Sequence, residues 1–151
     1  SGSGIGAISM METRLRQSFA KQGLMRLFGA EMTSIAPGQV EISLEPKPEL
    51  SQQHGFMHGG ALTAIADRAA GYAALSLMPA NRGVLTTEMK INFLAPAAGD
   101  RILARGKVLK AGRTLSLVQT EIFAVTAGQE RLIAFLTATF MSIENRDGIE
   151  D

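Results

Sequence analysis

The chain has 151 residues, 46% apolar and 19% charged, a globular composition long enough for one domain built on one core. Fifteen Lys and Arg against fourteen Asp and Glu leave a net charge of +1, which offers no general attraction to nucleic acid or to a membrane. With no cysteine, disulfides, thiolate metal sites and a cysteine nucleophile are excluded, and His54 and His58 are too few for a three-histidine metal centre.

Chemistry here must therefore use oxygen groups, at most two imidazoles, backbone dipoles or a bound cofactor. No metal is expected, and nothing in the residues calls for a cofactor. The opening Ser1-Gly2-Ser3-Gly4 reads as a flexible tag remnant, and 1–9 is set apart from the fold as tag or disordered chain. The pattern of a secretory signal is missing. Asp67 and Arg68 interrupt the longest apolar stretch before it reaches a membrane span, so a cytoplasmic protein without a membrane partner is expected.

From Met11 to Phe28 the spacing of Leu15, Phe19, Leu24 and Leu27 predicts a helix. Short strands follow over 31–35 and 40–44, joined at Pro37-Gly38, and Val40, Ile42 and Leu44 alternate with polar residues. After a loop over 47–57, the stretch 60–77 is apolar nearly all round the helix wheel, as in a buried helix. Four strands are predicted next, over 85–94, 101–110, 114–125 and 131–143. The turn-sized separators suggest a long antiparallel meander. The fold class is α+β, about six mostly antiparallel strands around one helix, in a single domain over 10–144 with a tail over 145–151.

The informative segment runs from Gln52 to Asp67, out of the loop and into the buried helix. Gly59 and Gly60 at a helix N-terminus let a ligand approach unpaired backbone N–H groups in a field that favours negative charge. Such a place suits an oxyanion, either a polarised thioester carbonyl or a phosphate. Asp67 stands two turns in, with Thr63, Ala64, Ala70 and Gly71 as small neighbours and no cation at three or four positions. Arg68 lies about 100° round the helix and need not pair with it. Taken singly, each residue also fits a structural role. The glycines fit a tight turn, His58 a cap or loop bridge, Asp67 an internal hydrogen-bond partner, and His54 a solvent-facing loop position.

Together, His58-Gly59-Gly60 with Asp67 nine residues after the histidine resembles the signature of hotdog-fold acyl-CoA thioesterases, in the phenylacetic-acid-degradation branch. The resemblance extends from about 25 to 143, through Thr86–Leu94, Ala95-Pro96-Ala97 and Lys110–Thr114. It implies a curved antiparallel sheet wrapped around the helix over 60–77. It also implies dimers joined edge to edge, often paired into tetramers, with each active site shared between two subunits. Asp67 matches the catalytic carboxylate, Gly59 the backbone donor to the thioester oxygen, and His58 the histidine that orders the loop. Gln52 stands where relatives of this branch carry Asn. Another thioesterase branch, acting on hydroxybenzoyl-CoA, has Gln there, so a role in positioning water or carbonyl is kept for it. Thr86 matches a residue that holds the attacking water, whereas Thr87 faces the other way.

The reaction this implies is hydrolysis of aryl or short- to medium-chain acyl-CoA, with Asp67 as general base or as nucleophile. Gly60, Phe56 and Met57 would line the acyl and thioester site, with Ala64 beside them. Arg113, Lys90 and Lys110 are the candidate contacts to the CoA phosphates, and Arg113, the preferred one, also fits a solvated turn charge. Two other readings stand beside this one: a non-catalytic acyl-CoA-binding hotdog module, and a hotdog hydroxyacyl dehydratase or hydratase. The dehydratases' Pro-Gly loop is missing, and there is no basic recognition helix for DNA.

Overall fold

A computed structural model describes residues 2–145; Ser1 and the expected tail beyond Asn145 lie outside the described residues. Helix α1 (Gly2–Ala20) is followed by a short α2 (Gly23–Phe28). The single helix predicted over 11–28 is therefore two, and the first begins inside the stretch set apart from the fold. The break falls at Gln22, which is extended (φ −76°, ψ 99°) just before Gly23, a poor helix former. A left-handed Gly29 (φ 71°) then ends α2.

Strands β1 (Glu31–Ala36) and β2 (Gln39–Leu44) form the expected hairpin. Helix α3 (Gly59–Leu75) comes next, then β3 (Arg82–Phe93), β4 (Arg101–Ala111), β5 (Leu115–Thr126) and β6 (Gln129–Glu144). One antiparallel sheet results, in the order β1-β2-β4-β5-β6-β3, with α3 against its concave face. This is the predicted fold class.

The four-strand meander is not what forms. Only β4-β5-β6 runs as a meander, while β3 crosses to the far edge and pairs with β6. The link between β3 and β4 explains the crossing. It runs over the ends of the intervening strands and bonds to each in turn: the N–H groups of Leu94 and Ala95 donate to Ile133 O, and that of Asp100 to Val125 O. Three strand spacings of about 4.8 Å are within reach of a seven-residue link.

The core lies between α3 and the sheet. Ile65, Ala66, Ala69 and Ala73 of the helix are fully buried against Ile42, Ile102, Ala104, Ile122 and Leu136 of the strands. The approach is close because β4 carries Gly106. A Cβ there would stand 2.5 Å from Ala69 O and 2.8 Å from Ala70 N. On β5, the buried Thr120 hydroxyl donates to Ala66 O at 2.9 Å, which locks the helix to the sheet. Helix α1 packs over the second half of α3, where the buried Ser18 hydroxyl bonds the Tyr72 hydroxyl at 3.0 Å.

Candidate active site

The loop before α3 is short and tied down. Ser51 and Met57 form an isolated antiparallel bridge, His58 N–H donates to Leu50 O at 2.8 Å, and Met57 N–H to Ala97 O at 3.0 Å. His58 is the N-cap of α3. Its Nδ1 accepts the Gly60 N–H at 2.8 Å, and its carbonyl accepts those of Ala61 and Leu62. Because Nδ1 accepts, the proton of a neutral ring belongs on Nε2. Of the first-turn donors, the Gly59 N–H is left without a partner among the described residues. The helix N-terminus thus presents one free donor in a favourable field for negative charge.

Two turns on, Asp67 is mostly buried, its side chain 18% exposed. Oδ1 accepts from the Thr86 hydroxyl at 2.8 Å. Oδ2 accepts from Arg68 Nη2 at 2.8 Å and Nε at 3.2 Å. This corrects the expectation that Asp67 stands without a cation. Helical neighbours one position apart do not face each other, but the long arginine side chain curls back, and a bare Gly71 leaves room for it. A Cβ on Gly71 would lie 3.4 Å from Arg68 Nη2.

Thr86 sits just before an irregularity in β3. The pairing with β6 slips between Thr86 and Glu88, so Thr87 is the extra residue of a bulge. Thr86, opposite the buried Phe140, faces α3, while the exposed Thr87 hydroxyl donates to Thr139 O at 3.0 Å. The slip also turns Met89 and Phe93 towards α3 at the uncovered edge, where they are 38% and 54% exposed. A Cβ on Gly59 would meet Phe93 Cζ at 3.1 Å, so this ring borders the free N–H. Neither Phe93 nor the Arg68 pairing is readable from the residues. Strand alternation continued through Thr87 would give the wrong face, and helical spacing argues against an i,i+1 pair.

The other candidates are scattered. Gln52 turns into its own loop, its side-chain carbonyl accepting from His54 N–H. Met57 is buried in the core at 5% exposure, and Phe56 is 37% exposed. Lys90 lies on the sheet face away from α3, opposite Thr137, and Lys110 is exposed near the end of β4. Arg113 lines a cleft of about 460 Å³ with Arg82, Asn81, Leu77 and Met78, beyond the C-terminal end of α3. Arg113 has no hydrogen bond or ion pair among the described residues, whereas Arg82 bonds Ser142 and Glu144.

Two candidate clusters therefore lie along one helix: His58, Gly59 and Gly60 at its start, and Asp67 and Arg68, with Thr86 of β3 beside them, two turns later. Eight residues at 1.5 Å put them about 12 Å apart along the axis. A carbonyl within about 3 Å of the Gly59 N–H cannot also lie beside Asp67 of the same chain.

Residues 54–130, half of the chain, match the family described as the Thioesterase superfamily. The chain belongs to this superfamily. Among the superfamily's solved structures, a thioesterase family protein from Silicibacter pomeroyi is 43% identical, with a TM-score of 0.87 over 89% of this chain and 99% of that one. Human acyl-coenzyme A thioesterase 13 is 28% identical over 101 residues, 65% of this chain and 70% of that protein. The E. coli PaaI protein, from a phenylacetic acid degradation operon, shares the fold at 22% identity, with a TM-score of 0.79 over 88% and 93% of the two chains. The hotdog architecture and the likeness to PaaI-type thioesterases follow. No helix among the described residues is long and apolar enough to cross a membrane.

Proposed function

We propose that the protein hydrolyses acyl-CoA thioesters at a site shared by two copies of the chain. The observation that carries this is the pair of complementary groups on α3: a free Gly59 N–H at its start and a held Asp67 carboxylate about 12 Å further on. One copy supplies the N–H and the other the carboxylate. Edge strand β3 is the natural joint, because one of its sides pairs with nothing among the described residues and Leu85, Met89 and Phe93 stand exposed along it.

The thioester oxygen accepts from the Gly59 N–H, and Asp67 takes a proton from a water that adds to the carbonyl carbon. Negative charge then builds on the oxygen at the helix N-terminus, where one well-aimed donor is worth about 3–4 kcal/mol. Collapse breaks the C–S bond and expels CoA as thiolate, which takes up a proton, leaving a free acid. A general base is favoured over a nucleophile because donors already engage both oxygens of Asp67. Oδ1, which accepts one hydrogen bond, keeps a lone pair for the water proton, while the three donor hydrogens on the carboxylate lower its nucleophilicity towards carbon.

His58 keeps the N-terminal turn open by occupying the Gly60 N–H. Ala64 on the helix, with the part-exposed Met89 and Phe93 on β3, offers an apolar surface suited to an aryl or medium acyl group. Arg113, whose charge has no partner among the described residues, is the proposed contact to the nucleotide phosphates, in the cleft at the other end of the helix.

A thiol-release assay on aryl-, short- and medium-chain acyl-CoAs tests this reading. Turnover in the wild type, lost by a factor of 10³ or more in Asp67→Asn with the fold intact, is the expected result. Tight binding without turnover would mark a binding module, and change at the acyl β-carbon a hydratase.

A further inference from the structure

We infer that Arg68 is a positioning residue for the Asp67 carboxylate, fixing the plane in which it meets water; this rests on the hydrolase reading above. The second torsion of an aspartate is soft and roughly two-fold, so a carboxylate on a helix does not present one lone pair by itself. Here two sources hold it from opposite sides. The hydroxyl of Thr86, whose β-branched side chain is stiff, fixes Oδ1, and the guanidinium fixes Oδ2 through two of its N–H groups. Arg68 Nη2 also reaches to 3.5 Å from Thr86 Oγ1, so the three side chains close into one set.

Arg68 is itself braced. Its side chain is only 19% exposed, and its guanidinium carbon sits 6.0 Å from the centre of the Tyr72 ring. That ring is fully buried and held from α1, by the Ser18 hydroxyl at 3.0 Å and by the edge of Phe19 with ring centres 6.0 Å apart. Gly71, the next residue along α3 on the same side, has no Cβ to displace the guanidinium. A lysine ammonium could supply the charge but not the fork that spans Oδ2 and Thr86. Helix α1 thus backs the reacting carboxylate through Tyr72 and Arg68.

The test compares wild type, Arg68→Met, Arg68→Lys and Asp67→Asn in steady-state thiol release from the best acyl-CoA, with Tm measured for each. Arg68→Met should lower kcat by about 10- to 100-fold with KM within about twofold, since small misplacement of a reacting group has effects of that order. Arg68→Lys should recover part of that loss, and Tm should not rank the variants by activity. If Arg68→Met does not fold, Arg68→Gln replaces it with the same expectation. An unchanged kcat in an active background, or a KM that rises while kcat holds, would overturn the positioning role and leave the hydrolase reading standing. A wild type that releases no thiol from any acyl-CoA overturns both.

Discussion

Gly59 offers a direct way to remove the proposed oxyanion donor without removing anything else. It occupies the first helical position of α3, and its N–H has no partner among the described residues. Proline is favoured at that position because its missing donor is not needed there. The preceding residue must be extended, and His58 already is, at φ −64° and ψ 135°. Gly59→Pro should therefore leave the fold standing while deleting the N–H.

The Cβ that either variant adds meets one side chain, Phe93, with Cζ at 3.1 Å, the tip of a half-exposed ring free to move aside. Gly59→Ala makes the same contact but keeps the N–H, so the pair of variants isolates the donor. Loss of one such donor costs about 2.7–4 kcal/mol in the transition state, or roughly 10²–10³ in kcat. The assay is kcat for CoA release by both variants, with circular dichroism and Tm confirming that each is folded. If a folded Gly59→Pro turned over within about fivefold of Gly59→Ala, the Gly59 N–H would not be the oxyanion donor.

Three further outcomes follow from particular contacts. Gly106→Ala should lower Tm by roughly 2–12 °C, because its Cβ would press on the α3 backbone at 2.5–2.8 Å and overpacking costs about 1–3 kcal/mol; a shift under 2 °C would mean that α3 can retreat freely. The hydrogen bond from Arg105 holds the Glu130 carboxyl below its usual range, so this group adds stability above its unfolded pKa of about 4.3, lost as pH falls through the lower folded value. The Tm difference between wild type and Glu130→Gln should accordingly be steady from pH 5 to 8 and shrink below about pH 4; a constant difference down to pH 2.5 would contradict the linkage. Arg113→Ala should raise KM for CoA esters about tenfold with kcat kept, and the gap should narrow in high salt. An unchanged KM would take Arg113 out of the phosphate site.

Much of this was legible in the residues, and what was not has identifiable causes. Alternation in Val40–Leu44 and the all-round apolar surface of 60–77 reflect burial, which composition records locally, so strands and buried helix emerge near their true bounds. The place of β3 does not emerge, because it depends on where the Leu94–Asp100 link finds acceptors on Ile133 and Val125, and those lie far along the chain. At the site, the His58 cap and the Asp67–Thr86 proximity match residues that the motif singles out. The Asp67–Arg68 pair escapes because helical spacing sees only Cβ directions and not the reach of an arginine. Gln52 is singled out by the resemblance and Met57 by its place in the loop, and neither says which way the side chain turns: Gln52 accepts from His54 N–H and Met57 packs into the core.

The extra residue at Thr87 has a consequence for how this edge of the molecule can change over time. Everything after it on β3 is dealt to the two faces in a phase set by that single insertion. Removing Thr87 would join Thr86 to Glu88 in plain alternation, leaving Glu88 opposite Thr139 and Met89, Ile91 and Phe93 still towards α3. A second inserted residue would instead drive Glu88, Lys90 and Asn92 under α3 and carry Phe93, the apolar border of Gly59, to the far side. Point substitutions on this strand tune one contact each, whereas a one-codon insertion would rewrite the whole wall at once. The bulge therefore gives β3 one residue that it can lose and none that it can gain.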